Sequence, residues 1–166
     1  MLRIIPLRHR LVDGYVQSPA SLAALLVRLH PLTAVTTRVE PAFAPLALSG
    51  SGGEASYLTM QMVLDEVDDE CARLNGEQAS AGTAPKCLGV FPDNIVFRPA
   101  GDPRGRVVGI AYVGGNTMLA ESVAAVDDST VSSPYAERHW LAFRAVTVGH
   151  EMGHLLNLDH AGCGGA

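Results

Sequence analysis

His150-Glu151-Met152-Gly153-His154 is the stretch of this chain whose residue types and spacing can do chemistry. Four residues advance an α-helix by about 400°, so His150 and His154 lie roughly 40° apart on one face. Two imidazoles placed that way can turn ring nitrogens toward one small cation, and H-E-x-x-H on a helix is the spacing of a zinc site. Glu151 flanks the cation without being needed as a ligand. It is placed to act as general base toward a zinc-activated water.

A third histidine, His160, stands six residues beyond His154. On a continued helix it would sit about 240° away, off the cation's side. For His160 to return, the helix must stop between them, and Asn157 stands where it must stop. A residue ending a helix this way adopts the left-handed conformation, which glycine tolerates best and Asn next. The expected metal ligands are therefore His150, His154 and His160, with Zn2+ as cofactor.

The elements that must position this site can be read from the rest of the chain. Its 166 residues suffice for a single domain, residues 1–166, with a substantial core. At 48% hydrophobic and 17% charged the composition is that of a globular chain. The net charge of −5 argues against nucleic acid or an anionic membrane as partner. No apolar run approaches membrane-spanning length, because Arg28 and His30 close the longest early one. Met1 leads straight into Leu2-Arg3-Ile4-Ile5-Pro6, which lacks the long apolar segment of a signal peptide. The three cysteines, Cys71, Cys87 and Cys163, are too few for a disulfide framework and none are spaced C-x-x-C. Cys71 reads as a small core residue of a helix, and the redox state of the three is not readable from their spacing.

Residues 2–9 read as a first strand, with Pro6 pointing to an edge or a bulge. Ser18-Pro19 opens a helix that runs through Leu22, Leu25, Leu26 and Leu29 and ends before Pro31. Residues 34–39 are rich in β-branched side chains and read as a second strand, and residues 41–53 as a loop. A second helix is expected over 55–74, with Tyr57, Met60, Val63, Leu64, Val67 and Cys71 inward and Asn75-Gly76 as its stop. Its Asp65, Asp68, Asp69 and Glu70 read as a solvated face rather than a cation site. Residues 76–85, rich in Gly, Ser, Ala and Pro, read as a surface loop. Strands are expected over 87–91, 94–97, 107–113 and 121–126, and a last helix over 136–156 with Trp140, Phe143, Val146 and Leu155 toward the core. The expected class is α/β (α+β): a twisted mixed sheet of about five strands with two or three helices, the active-site helix last. An antiparallel strand at the sheet edge would face the cleft, where an extended peptide can add by backbone pairing.

Three segments taken together, Val108–Gly115, Ser122–Ser129 and Ala145–His154, resemble the adamalysin (reprolysin) branch of the metzincin zinc endopeptidases. The ending His160-Ala-Gly-Cys-Gly-Gly165 is similar to secreted bacterial metzincins, including mucin-cleaving ones. The specific motifs of this resemblance lie within residues 107–164. It implies His150, His154 and His160 as zinc ligands, Glu151 as general base, and Gly109, Ile110, Ala111 and Tyr112 as the edge strand that holds substrate backbone in register. It further implies a secreted, monomeric endopeptidase acting on polypeptides or glycoproteins. Metzincins also carry a Met-turn and a lower subdomain beyond the third histidine. This chain ends six residues after His160, so it reads as the N-terminal subdomain of a C-terminally truncated catalytic domain.

A non-catalytic zinc module that recognises polypeptide or glycoprotein, or an inactive fragment, remains the rival reading. The presence of Glu151 favours the enzyme, since such a module has no need of a base there. Among the other polar residues, His9, His30 and His139 read as surface groups, Asp159 as solvent-exposed and the Tyr112 side chain as packing.

Overall fold

The computed structural model describes residues 1–76, 84–123 and 135–158, with the side chains of residues 135–143 and of Ala145 outside that description. Among the described residues nine short strands and three α-helices follow in the order β1 Leu2–Pro6, β2 Arg8–His9, β3 Val12–Asp13, α1 Pro19–Leu29, β4 Thr37–Val39, β5 Glu54–Ser56, α2 Tyr57–Asn75, β6 Lys86–Phe91, β7 Val96–Arg98, β8 Gly109–Ala111, β9 Thr117–Glu121 and α3 Tyr135–Leu155. Five of the strands form one sheet in the order β4-β1-β6-β9-β8. The first four run parallel, and β8 closes the row antiparallel to β9. The molecule is therefore a mixed α/β fold with a mixed five-stranded sheet and three helices.

Alternation along the strands divides the core in two. Leu2, Ile4, Leu88, Val90, Met118 and Ala120 point to one face, where Leu22 and Leu26 of α1 and Val148, Met152 and Leu155 of α3 cover them. Ile5, Cys87, Phe91 and Leu119 point to the other, under Met60, Val63, Leu64, Val67 and Cys71 of α2. The helices start and stop where their caps allow. Ser18 accepts from the Ser21 N–H with Pro19 in the first helical position, Ser56 accepts from Thr59, and Gly76 ends α2 at φ 61°.

Several expectations are corrected. The first strand is not an edge: β1 is paired on both sides, and Pro6 is accommodated at its last position, where Leu7 resumes the ladder by donating to Val90. The strand expected over 121–126 is instead Thr117–Glu121; Val123 makes one isolated bridge to Val16, and residues 124–126 lie outside the description. Pairing with β6 on one side and β8 on the other makes Thr117–Glu121 a strand. The run 107–113 contributes only Gly109–Ala111, since Val107 pairs away toward Phe97 and Tyr112 begins the turn. Residues 54–56 are a short strand beside β7 rather than helix.

Cys71 is not a free core thiol. It forms a disulfide with Cys87, joining the last turns of α2 to β6 across a Cα–Cα separation of 6.0 Å. Closing a loop of this size contributes about 3 kcal/mol in the chain-entropy account. His9, expected at the surface, is buried: its Nε2 donates to the Ser51 carbonyl at 3.1 Å, and its Nδ1 lies 3.2 Å from Asn94 Oδ1. The acidic face of α2 is only partly solvated, because Asp65 accepts from Tyr112 Oη, Asp68 accepts from Thr117 Oγ1 and Glu70 pairs with Arg73. Val146 points outward rather than into the core.

Candidate metal site

The C-terminal end of α3 is built by a local hydrogen-bond pattern that begins with Gly153. Leu158 N–H donates to Gly153 O at 3.0 Å and Asn157 N–H to His154 O at 2.9 Å, with Asn157 at φ 65°. This pair of bonds around a left-handed residue is the Schellman ending, and the helix stops at the position the sequence required. Asp159, His160 and Cys163 lie beyond Leu158, outside the described residues.

Helical periodicity sorts α3 into four sides. Val148, Met152 and Leu155 face the core. Glu151 and Thr147 face β8. His150 and His154 lie on the next side round, their rings 4.8 Å apart between centroids and nearly perpendicular. Gly149 and Gly153 form the fourth side, against the end of α1.

His154 Nδ1–H donates to the Leu158 carbonyl at 3.0 Å, so the helix ending also sets the tautomer of this ring. In that tautomer the unprotonated nitrogen is Nε2. Glu151 is buried against the backbone of Gly109: a Cβ added there would stand 2.8 Å from Glu151 Oε1 and 2.8 Å from Thr147 Cγ2. Only glycine permits the strand to lie so close over the carboxyl. Desolvation pushes the Glu151 carboxyl up to about 7, against its ordinary 4.5.

The edge strand and the helix are fastened together at their other ends. Gly114 N–H, in the turn after β8, donates to His154 O at 2.8 Å, a second donor on the carbonyl that Asn157 already bonds. From the same turn the Tyr112 hydroxyl donates to Asp65 of α2, and this bond helps push the phenol up to about 12. Further back on α3, Arg144 holds Asp93 at 2.7 Å and approaches Glu121 of β9, which is buried and also paired with Arg106. Burial raises the Glu121 carboxyl and the two arginines oppose that rise.

Of the residues expected at the site, the structure brings together His150, His154, Glu151 and Gly109. Ile110 and Ala111 follow on β8, Ile110 packing into the α2 core and Ala111 into the α1/α3 core, so their backbone is what they offer at the sheet edge. Among the described residues β8 has a strand partner on one side only. Tyr112 turns its side chain across to α2 instead of packing inward. Among the described residues no group of three His, Cys, Asp or Glu is gathered around one point. The donor set nonetheless suits a borderline-soft divalent cation: two imidazoles side by side, one with its tautomer fixed, beside a buried carboxyl.

Sequence reading missed His30, whose Nε2–H donates to the Gly149 carbonyl from 119 residues away, and the Tyr112–Asp65 bond. The spacing of Gly149 and Gly153 was the one visible trace of the first; nothing local announces the second. Among known proteins, no family model, no curated protein and no solved structure matches this chain.

Proposed function

We propose that this chain is a zinc-dependent endopeptidase domain of the metzincin kind, hydrolysing peptide bonds in polypeptides or glycoproteins. The observation that carries the reading is the juxtaposition on α3 of a histidine pair, a desolvated glutamate and an antiparallel strand at the sheet edge. His150, His154 and His160 hold the zinc. Bound there, the metal supplies a Lewis acid that acidifies water and polarises a carbonyl.

Glu151 accepts the proton of the attacking water and returns it to the leaving amine. Its carboxyl, near neutrality under Gly109, is matched to both halves of that transfer. The backbone of Gly109–Ala111 aligns the substrate as an added strand. The Cys71–Cys87 disulfide supports maturation in an oxidising compartment and hence secretion. No helix of the described residues is long and apolar enough to cross a membrane.

The test is zinc per chain by elemental analysis after dialysis against metal-free buffer, paired with cleavage of unstructured and mucin-like substrates. About one zinc per chain is expected. Glu151→Ala should keep the metal and lose roughly 10²–10⁴-fold in turnover. Equal cleavage by wild type and variant overturns the assignment. Zinc in the wild type without cleavage of any substrate transfers the reading to a recognition module.

A further inference from the structure

The helix that carries the histidines has a recess the proposed chemistry does not use. Gly149 and Gly153 stand one turn apart, roughly 100° round the axis from the histidine pair. A Cβ on Gly149 would meet Leu29 Cδ1 at 2.4 Å, and one on Gly153 would meet His30 Cε1 at 3.5 Å. The end of α1 therefore lies in a notch that side chains at these positions would fill.

In that notch His30 Nε2–H donates to the Gly149 carbonyl at 2.8 Å, in a half-buried setting. A carbonyl has two lone pairs, so this bond adds to the helix ladder without displacing it. His30 is itself held: its backbone N–H caps α1 by donating to Leu26 O at 3.1 Å. Its ring thus reaches α3 from a fixed base.

We propose that His30 is a positioning residue for the metal centre, fixing the rotation of α3 through the carbonyl of the residue that precedes His150. The proposal rests on the zinc reading above. Magnitudes favour it. Side chains reach about 5–6 Å from a helix axis, so a rotation of 10° carries a donor atom about 1 Å. Metal–nitrogen distances tolerate only about 0.2 Å. The contacts of Val148, Met152 and Leu155 beneath the helix are apolar and non-directional. Hydrogen bonds to the helix backbone are directional: Gly114 N–H on the His154 carbonyl holds the helix from the strand side, and His30 holds it at Gly149 from the α1 side.

The experiment compares wild type, His30→Ala and His30→Gln, the last placing an amide N–H where the ring donor stood. Three quantities are read: zinc affinity by competition with a chelator, the visible spectrum of the cobalt(II)-substituted chain, and the melting temperature of the metal-free chain. His30→Ala should weaken zinc binding about tenfold, as loss of a group that orients a ligand does. It should also alter the cobalt spectrum, and His30→Gln should restore most of both. If His30→Ala does not fold, His30→Leu, which fills the notch without donating, takes its place. Zinc affinity and cobalt spectrum unchanged in the non-donating variant, whatever its melting temperature, would make His30 a cap of α1 and overturn the proposal. A wild-type chain that takes up no zinc fails at the earlier step and removes the premise instead.

Discussion

Helix α3 is approached closely on two flanks, and glycine makes both approaches possible by opposite means. On the strand flank the glycine belongs to the neighbour: Gly109 of β8 lets backbone lie over Glu151. On the helix flank the glycines belong to α3 itself, and Gly149 and Gly153 admit the end of α1. The first approach removes water from a carboxyl and raises its pKa. The second brings a donor to a helix carbonyl. On the proposed function, one flank tunes the base and the other orients the metal ligands.

The largest effect should come from closing the strand flank. In Gly109→Ala the new methyl would stand 2.9 Å from Glu151 Cγ and 2.8 Å from both its carboxylate oxygen and Thr147 Cγ2. Strand and helix must part, at about 1–3 kcal/mol in stability for overpacking of this kind. Because the displaced group is the proposed base, turnover should fall by 10²-fold or more, as for misplacement by about 1 Å. Denaturant unfolding and peptide hydrolysis read the two quantities separately. A variant with normal turnover would mean that Glu151 does not depend on β8 for its setting.

A second prediction isolates the desolvation itself, in the chelator-treated chain. The ordinary Glu carboxyl titrates at 4.5 and the folded one at about 7. Between those values the unfolded chain has released its proton while the folded one keeps it, so wild-type stability falls as pH rises from about 4.5 to 7 and stays lower above. Glu151→Gln resembles the protonated acid and escapes this cost. It should exceed wild type by on the order of 1–3 kcal/mol at pH 8, and the gain should vanish near pH 4. A gain of the same size at both pH values would mean that the carboxyl is not held out of water by β8.

The two flanks also differ in how far sequence alone reveals them. His150, Glu151, His154 and the stop at Asn157 belong to one short segment, and helical geometry plus left-handed preference carry that reading through to the observed φ of 65°. A strand within 107–113 was readable from its apolar run before Gly114-Gly115, although only Gly109–Ala111 forms it, and its place at the sheet edge came from the family resemblance. What was hidden depends on contacts across the chain. The bond from His30 to Gly149 spans 119 residues, and His30 stands at a helix end where a histidine usually meets solvent. The disulfide needed the pairing of α2 with β6 to be known first. Strand β9 was misplaced because Thr117–Glu121 is ordinary in propensity and becomes a strand through its neighbours β6 and β8.

The smallest effect expected is also the most specific to the strand flank. The Tyr112 hydroxyl, held up at about 12, stays protonated and donating to Asp65 across the working pH range. Both groups are substantially exposed, so Tyr112→Phe should cost only about 1 kcal/mol, or 2–4 °C in melting temperature for a chain of this size. The function-specific readout is different. If this bond, with Gly114 on His154, fastens β8 between α2 and the histidine helix, its loss loosens the strand proposed to align substrate. The ground state and the transition state then suffer alike, raising KM several-fold with kcat near wild type. A fall in kcat at unchanged KM would place Tyr112 at the reacting group instead, and would make the strand flank a source of chemistry beyond Glu151.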